Sequence, residues 1–166
     1  MDFLQPEPVE EYLPEGEPRG CVLVVSDLQG FHVTHAAALC LAGYAVYTAL
    51  TCTDVPRVYE ALGVAHIDLV AFVSLGHGGH GETAEERAPD MPTHTDAKWQ
   101  SNSILQAVDT VSFIQQAPPK VFLATDLISQ DCISISRDAL KAAGIHVDTY
   151  SARNAFSIVG FLLGAT

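Results

Sequence analysis

The chain has few basic residues: 8 Lys and Arg stand against 20 Asp and Glu in 166 residues, a formal net charge of −12. A protein with this charge repels phosphate backbones and anionic lipid headgroups, which argues against nucleic-acid and membrane partners. The sequence also lacks an apolar run near the roughly 18 residues that a membrane-spanning helix needs. Its acidic N-terminus, MDFLQPEPVEEYLPEGEP, resembles neither a signal nor a transit peptide. We therefore expect a cytoplasmic protein.

Cysteine is scarce, and its spacing is uninformative about pairing. The four cysteines, Cys21, Cys40, Cys52 and Cys132, contain no CxxC pair. A disulfide framework is therefore not expected, and free thiols buried in apolar runs are the simpler interpretation.

The composition predicts one domain preceded by a short arm. With 48% hydrophobic residues, the chain can form one compact core. Residues 1–18 are rich in glutamate and proline and show little apolar periodicity, so we predict an extended acidic arm. Residues 19–166 are predicted to form a single α/β domain.

Apolar runs alternate with helical patterns throughout that domain. Strands are predicted at 21–27, 44–51, 67–75, 118–126 and 145–150, and helices at 34–43, 53–64, 101–116, 136–144 and 155–164. Continuous runs such as CVLVVSD are typical of strands buried on both faces. Because parallel neighbours require crossover connections, the alternation predicts a three-layer fold, a mostly parallel sheet with helices on both faces.

Chemistry in such sheets lies in the loops that leave the carboxyl ends of the strands. Three loops qualify: SDLQGFH, SLGHGGHGE and TDLISQDC. The runs VLVVSD, AGYAVYTA and IDLVAFV resemble the bacterial receiver domain, which needs several acidic groups and a lysine to hold magnesium and accept a phosphoryl group. Ser26-Asp27, Ser74 and Ser151 stand at those positions. This resemblance therefore implies no more than a receiver-like binding module without phosphotransfer.

A longer series of segments resembles the caspase family of cysteine peptidases. In order they are YLPEGEPRGCVLVVSD, LAGYAVYTALTCTD, VYEALG, IDLVAFVSLGHGG, PPKVFLATD and DTYSARNAFSIVGFLLG, in register over about residues 12–127. The resemblance implies a caspase-like, flavodoxin-like three-layer fold. It also implies that this chain is shortened in the part that corresponds to the small subunit, where caspases dimerise.

The caspase resemblance assigns catalytic positions residue by residue. His77 matches the histidine that shuttles protons, and Gly78 matches the residue whose backbone N–H helps form the oxyanion hole. The nucleophilic cysteine should follow about 50 residues later. Leu127 stands there, 50 residues after His77, with Thr125 at the glutamine of the substrate pocket. A leucine cannot attack a carbonyl, so thiolate hydrolysis cannot proceed at this position.

The residues matched to the substrate pocket also differ from those of the family. The segment LQGFHVTHAAAL lacks the arginine that caspases place there to clamp an aspartate, and Arg153 matches a substrate-contacting arginine of the small subunit. A pocket without its bidentate arginine pair would hold a carboxylate poorly. The missing nucleophile and the missing arginine pair both indicate that the peptidase activity of the family is lost.

Two other site hypotheses remain open at this stage. Cys132 in SQDCIS resembles the Asp-Cys of metacaspases and could replace the nucleophile, although it lies five residues beyond the matched position, over about 15 Å of extended chain. A zinc site from His77, His80, His94 and Cys132 is conceivable, but HxxH in a glycine-rich loop lacks the usual ligand spacing. We expect no metal and no cofactor.

Three functional hypotheses follow. The first is a catalytically inactive caspase homologue that regulates apoptotic or inflammatory caspases by binding a caspase or a caspase adaptor. The second is an active cysteine endopeptidase that uses His77 and Cys132. The third is the receiver-like binding module.

Overall fold

A computed structural model describes residues 8–75 and 93–164. In this part of the chain six strands form one sheet: β1 (Val9–Tyr12), β2 (Cys21–Ser26), β3 (Ala45–Ala49), β4 (Leu69–Ser74), β5 (Lys120–Ala124) and β6 (Val147–Tyr150). Their order is β1-β3-β2-β4-β5-β6, with β1 antiparallel to β3 and every other neighbouring pair parallel. The parallel strands thus follow the doubly wound order of flavodoxin-like folds.

Helices cover both faces of the sheet, which confirms the predicted three layers. They are α1 (Gln29–Leu41), α2 (Val55–Leu62), α3 (Thr93–Gln115), α4 (Gln130–Ala142) and α5 (Phe156–Gly164). On one face, Leu39 of α1 and Ile158 of α5 share an apolar cluster with Val24. On the other face, residues of α2, α3 and α4 form a second cluster with Leu23 and Val25.

The central strand explains why its sequence is continuously apolar. Val22 and Val24 belong to one cluster, Leu23 and Val25 belong to the other, and all four side chains are fully buried. Successive side chains of a strand point to opposite faces, so a strand covered on both sides needs apolar residues at every position.

Local sequence signals set the helix ends where they are strong. Pro56 lies in the first turn of α2, and Gly63 ends that helix with a φ of 67°. A left-handed residue at a helix end favours glycine, because a side chain is strained there. Gly144, with a φ of 77°, follows α4 in the same way and confirms the predicted stop.

Three helices begin earlier than predicted: α1 at Gln29 instead of 34, α3 at Thr93 instead of 101 and α4 at Gln130 instead of 136. α4 is capped by Ser129, whose side chain accepts a hydrogen bond from the Cys132 N–H, whereas the predicted range began at Ser136 with that serine as the cap. Ser136 lies on the buried stripe of α4, where its hydroxyl donates to Ser101 Oγ at 3.0 Å. A satisfied serine can occupy a core position, which apolar periodicity does not reveal.

The predicted boundary between the arm and the domain is also different in the structure. Residues 9–12 form β1 and pair with β3, and Val9 is buried in the core. The sheet therefore begins ten residues before Arg19. The two edge strands among the described residues are β1 and β6.

Candidate functional site

The parallel strands end along one side of the sheet, which we call the carboxyl edge. It is formed by the ends of β2 at Ser26, β4 at Ser74, β5 at Ala124 and β6 at Tyr150. The direction in which successive strands are added to the sheet reverses between β2 and β4, because β3 lies on one side of β2 and β4 on the other. Ligands of doubly wound folds bind in the crevice at such a switch point.

A hydrogen-bonded cluster occupies this switch point. The Ser74 hydroxyl donates to Asp27 Oδ1 at 2.6 Å and lies 2.8 Å from the Ser26 hydroxyl. The backbone joins the same strands, since the Asp27 N–H donates to the Ser74 carbonyl at 3.1 Å. Of these three residues, two are buried and Asp27 is exposed. Asp27 is the one carboxylate of this cluster. Ser74 stands at the end of β4, where a receiver has the acidic group that accepts a phosphoryl group.

The histidine loop that follows β4 lies outside the described residues. His77, Gly78 and His80 fall between residues 76 and 92, and the catalytic roles that the caspase resemblance gives to His77 and Gly78 therefore stay predictions. The described end of β4 fixes only where that loop leaves the sheet, next to β5.

Leu127 lies in the turn that follows β5, and β5 is adjacent to β4, the strand that leads into the histidine loop. Its N–H donates weakly to the Ala124 carbonyl at 3.4 Å. The side chain is half-buried and packs against the apolar cluster beneath α1 and α5. The position matched to the nucleophile thus holds an apolar side chain that contributes to packing.

Cys132 is unsuited to the role of a substitute nucleophile. Its side chain is 0% exposed and belongs to the cluster beneath α2, α3 and α4, on the face of the sheet opposite to Leu127. Burial raises the pKa of its thiol to about 11, although the nearby Ser136 hydroxyl, 3.9 Å away, opposes that shift. A thiol that is buried and protonated at neutral pH is neither accessible nor nucleophilic. The structure therefore argues against Cys132 as a catalytic residue.

The two matched pocket residues have structural contacts. Thr125 donates from its hydroxyl to the Tyr150 carbonyl at 3.2 Å, and its N–H donates to the same carbonyl at 2.9 Å. The side chain of Arg153 is 78% exposed, and its Nε lies 3.9 Å from Asp126 Oδ2. The fold does bring Thr125, Leu127 and Arg153 to the same corner of the carboxyl edge.

Asp126 organises that corner, and sequence reasoning missed it. Its carboxylate accepts hydrogen bonds from the Ser151 hydroxyl at 3.0 Å, the Ala152 N–H at 2.9 Å and the Arg153 N–H at 3.2 Å. Partial burial by itself raises the pKa of this carboxyl, but the hydrogen bonds outweigh burial and lower the pKa below its usual value. The signal that the sequence offers for Asp126 is its place two residues after the buried strand β5.

Two buried histidines of α1 form a polar layer beneath this edge. His35 Nε2 lies 2.7 Å from the Tyr150 hydroxyl, and burial lowers the pKa of His35 to about 4. His32 Nε2 lies 2.8 Å from the Ser26 carbonyl, and burial lowers its pKa as well. Among the described residues, His32 Nδ1 has no hydrogen bond of good geometry, although the Ala49 carbonyl is near enough to favour the charged ring. Both rings are therefore neutral at pH 7.

Metal binding has no support in the described part of the chain. No group of three or more His, Cys, Asp or Glu side chains is placed there to hold an ion. Of the zinc ligands considered from the sequence, Cys132 is buried in the core, and the side chains of His77, His80 and His94 lie outside the described set.

Among the helices that are described, none has the length and apolar character to cross a bilayer.

Comparison with known proteins leaves the chain without an assigned family. No protein-family model matches it, and no curated protein matches its sequence. Among solved structures it is similar to a chain described as yeast Spc42 trimeric coiled coil, amino acids 181–211, fused to another structure. The two share 18% identity over 91% of this chain and 88% of that one, with a TM-score of 0.44. A similarity at this level supports no statement about function.

Proposed function

We propose that this domain is a caspase-like protein without thiol catalysis, which regulates caspase activity by binding a caspase or a caspase adaptor. The observation that carries the proposal is the apolar side chain of Leu127 at the end of β5, packed against the core where the resemblance requires a nucleophile. The doubly wound strand order and the position of β5 beside β4 are compatible with the caspase register.

The remaining thiols support a non-catalytic role. Cys21 begins β2 and Cys40 lies in the last turn of α1, so both are at the opposite end of the sheet from the carboxyl edge. Cys52 lies closer to that edge, but burial raises the pKa of its thiol to about 12. Among the described residues no thiol combines exposure, a low pKa and a place at the carboxyl edge.

The outer edge of β6 offers a surface for a protein partner. The carbonyls of His146 and Tyr150 accept hydrogen bonds from β5, so the backbone groups of Val147 and Thr149 point away from the sheet. An unpaired strand edge can accept a strand from another chain, with main-chain hydrogen bonds that give affinity.

The direct test is a titration of this protein into a purified initiator caspase that cleaves an aspartyl fluorogenic peptide. We expect the caspase rate to change and to level off at a stoichiometric ratio. Thr149→Pro should weaken the effect roughly tenfold, because proline removes an outward N–H from β6. Glu11→Pro is the matched control: it removes an N–H that points outward from β1, the opposite edge of the sheet.

Two outcomes would contradict the proposal. A caspase rate that stays constant over a hundredfold excess of this protein would remove the regulatory role. Peptide cleavage by this protein alone, abolished by Cys132→Ser, would restore the peptidase hypothesis.

A further inference from the structure

The helical layer formed by α1 and α5 carries no charged residue, although the chain has a net charge of −12. Neither Gln29–Leu41 nor Phe156–Gly164 contains Asp, Glu, Lys or Arg, and the two histidines of α1 are buried. The helices of the opposite layer carry charges of both signs, for example Arg57 and Glu60 in α2 and Asp138 and Lys141 in α4.

Apolar side chains are exposed on this uncharged layer. In α1, Val33 is 56% exposed and Leu41 is 82% exposed, and Ala37 between them is exposed on the same stripe. Phe156 in the first turn of α5 is 60% exposed, and Leu28 beside the start of α1 is 51% exposed. We call these five residues the α1/α5 face. Val33, Ala37 and Leu41 are spaced four residues apart, so they lie on one side of α1. An exposed apolar patch larger than scattered single residues marks an interaction site.

Two hydroxyl groups of this layer, those of Thr34 and Ser157, already donate to nearby backbone carbonyls. The Thr34 hydroxyl donates to the Phe31 carbonyl at 3.3 Å, and the Ser157 hydroxyl donates to the Asn154 carbonyl at 2.7 Å. Burying a polar group is costly mainly when it loses its hydrogen bonds. These two hydroxyl groups can therefore be covered by another apolar surface at little cost.

From these observations we infer that the α1/α5 face binds a second copy of this chain, as a two-fold symmetric dimer. A face without charge is where two copies of a strongly acidic protein approach each other with the least repulsion. Charges border the face instead, at Asp27 beside α1 and Arg153 before α5, as expected for the polar rim of an interface. The same net charge disfavours an anionic membrane as the occupant.

The size of the face predicts a reversible dimer. At about 1.5 Å per residue, α1 is about 20 Å long and α5 about 14 Å, and two adjacent helices are about 20 Å wide. Such a surface is at the low end for specific interfaces. We therefore expect a dimer that dissociates on dilution.

The test is the mass of the full chain in solution, measured by sedimentation over a hundredfold range of concentration. We expect a shift from the 17.7 kDa monomer to a species of twice that mass. Val33→Glu and Phe156→Glu should each weaken dimerisation at least roughly tenfold, because each places an unpaired carboxylate in the interface. Phe113→Glu is the control, since Phe113 is an exposed apolar residue of α3 in the opposite layer, 77% exposed.

A monomeric mass at every concentration would overturn the inference. It would also be overturned by a dimer that Phe113→Glu disrupts and the two α1/α5 variants do not. If the wild-type chain is monomeric but floats with phosphatidylcholine vesicles and Val33→Glu does not, the occupant is a lipid surface and not a second copy. Thermal unfolding of each variant separates loss of dimerisation from loss of folding.

Discussion

At the residue scale, the Asp126 carboxylate makes more hydrogen bonds at the carboxyl edge than the side chains of Thr125, Leu127 and Arg153, the described positions that the caspase resemblance identified there. One carboxylate holds the turn between β6 and α5 through three donors, the Ser151 hydroxyl and the N–H groups of Ala152 and Arg153. Two of those donors are backbone groups that no other side chain in the described structure is shown to accept. A charged acceptor strengthens such bonds, so the ionised form of Asp126 is the one that the fold stabilises.

We predict that Asp126→Asn lowers the free energy of unfolding at pH 7 by about 1–3 kcal/mol, because an amide cannot accept all three hydrogen bonds. The lowered pKa of Asp126 fixes the sign of the pH dependence: its contribution is complete above the pKa of the unfolded chain and is lost as the pH falls through the folded pKa. Urea unfolding at pH 7 and pH 3 measures both effects. The exposed Asp138→Asn is the control, and equal losses in the two variants would contradict the assigned role.

His35 gives a second pH dependence. The ring is fully buried against Tyr150, and its pKa of about 4 lies below the unfolded value of about 6.5. As the pH falls from about 6.5 to about 4, the unfolded chain binds a proton that the folded chain excludes, so stability declines by about 3 kcal/mol at most.

In His35→Gln we expect a shallower decline over that pH range, with the amide oxygen still able to accept from the Tyr150 hydroxyl. Urea unfolding between pH 7.5 and pH 4 measures the slope. His146→Gln is the control, because the His146 side chain is 57% exposed. If the decline of stability with falling pH is unchanged in His35→Gln but reduced in His146→Gln, the buried His35 ring is not the source of that pH dependence.

At the element scale, the end of α3 is joined to the start of β4 by one side chain. Gln115 Oε1 accepts from the Ile67 N–H at 2.7 Å and from the Tyr59 hydroxyl at 2.9 Å, and its Nε2 donates to the Ile67 carbonyl at 2.8 Å. The amide thereby completes the backbone hydrogen bonding of the segment that leads into β4, and it connects α2, α3 and the sheet.

Gln115→Ala should lower the free energy of unfolding by about 2–4 kcal/mol, because it leaves the Ile67 backbone and the Tyr59 hydroxyl partly buried without partners. Gln106→Ala changes the same residue type at an exposed position of the same helix, and we expect less than about 0.5 kcal/mol there. Chemical denaturation of both variants provides the comparison. Similar losses of stability in Gln115→Ala and Gln106→Ala would mean that the hydrogen bonds of the Gln115 amide contribute nothing to stability.

Elements were predictable where one physical signal dominates. The continuous apolar runs gave five parallel strands, and Gly144 marked a helix end, because burial on both faces and a positive φ each restrict the residue types allowed. The predicted helix over 53–64 ran past Gly63, where α2 ends. β1 was not predictable: VEEY gains its place by pairing with β3, a long-range contact that local pattern does not encode. The early start of α4 was hidden by Ser136, whose burial depends on Ser101 from another helix.

The candidate site was predictable to a smaller degree. Thr125 and Leu127 follow β5, Arg153 follows β6, and these two strands are adjacent. The roles that the resemblance gives to the three residues stay predictions. The sequence could not distinguish an exposed cysteine from a buried one, so it left the catalytic role of Cys132 open. In the structure, Cys132 lies on α4 and its thiol is buried in the core. Hydrogen bonds such as those of Asp126 form between segments 25 or more residues apart, which no local pattern reveals.

At the scale of the whole molecule, the helices α1 and α5 contain no Asp, Glu, Lys or Arg in a chain with a net charge of −12. Exposed apolar side chains occur on both helical layers of the described structure, for example Val33 in α1 and Phe113 in α3. The edge of β6 and the face formed by α1 and α5 are the two surfaces for which we propose partners. The described residues contain no nucleophilic thiol at the edge where the resemblance requires one.

The most direct test of this central claim restores the missing sulfur. In Leu127→Cys, we would measure the thiol pKa from the pH dependence of iodoacetamide alkylation, with and without His77→Ala, and compare it with Thr125→Cys, an exposed position two residues away. A caspase-type scaffold predicts a thiol pKa at least about one unit lower at position 127 than at 125, and loss of that difference in His77→Ala. Equal values at the two positions, or a value insensitive to His77, would contradict the caspase register and the function proposed from it.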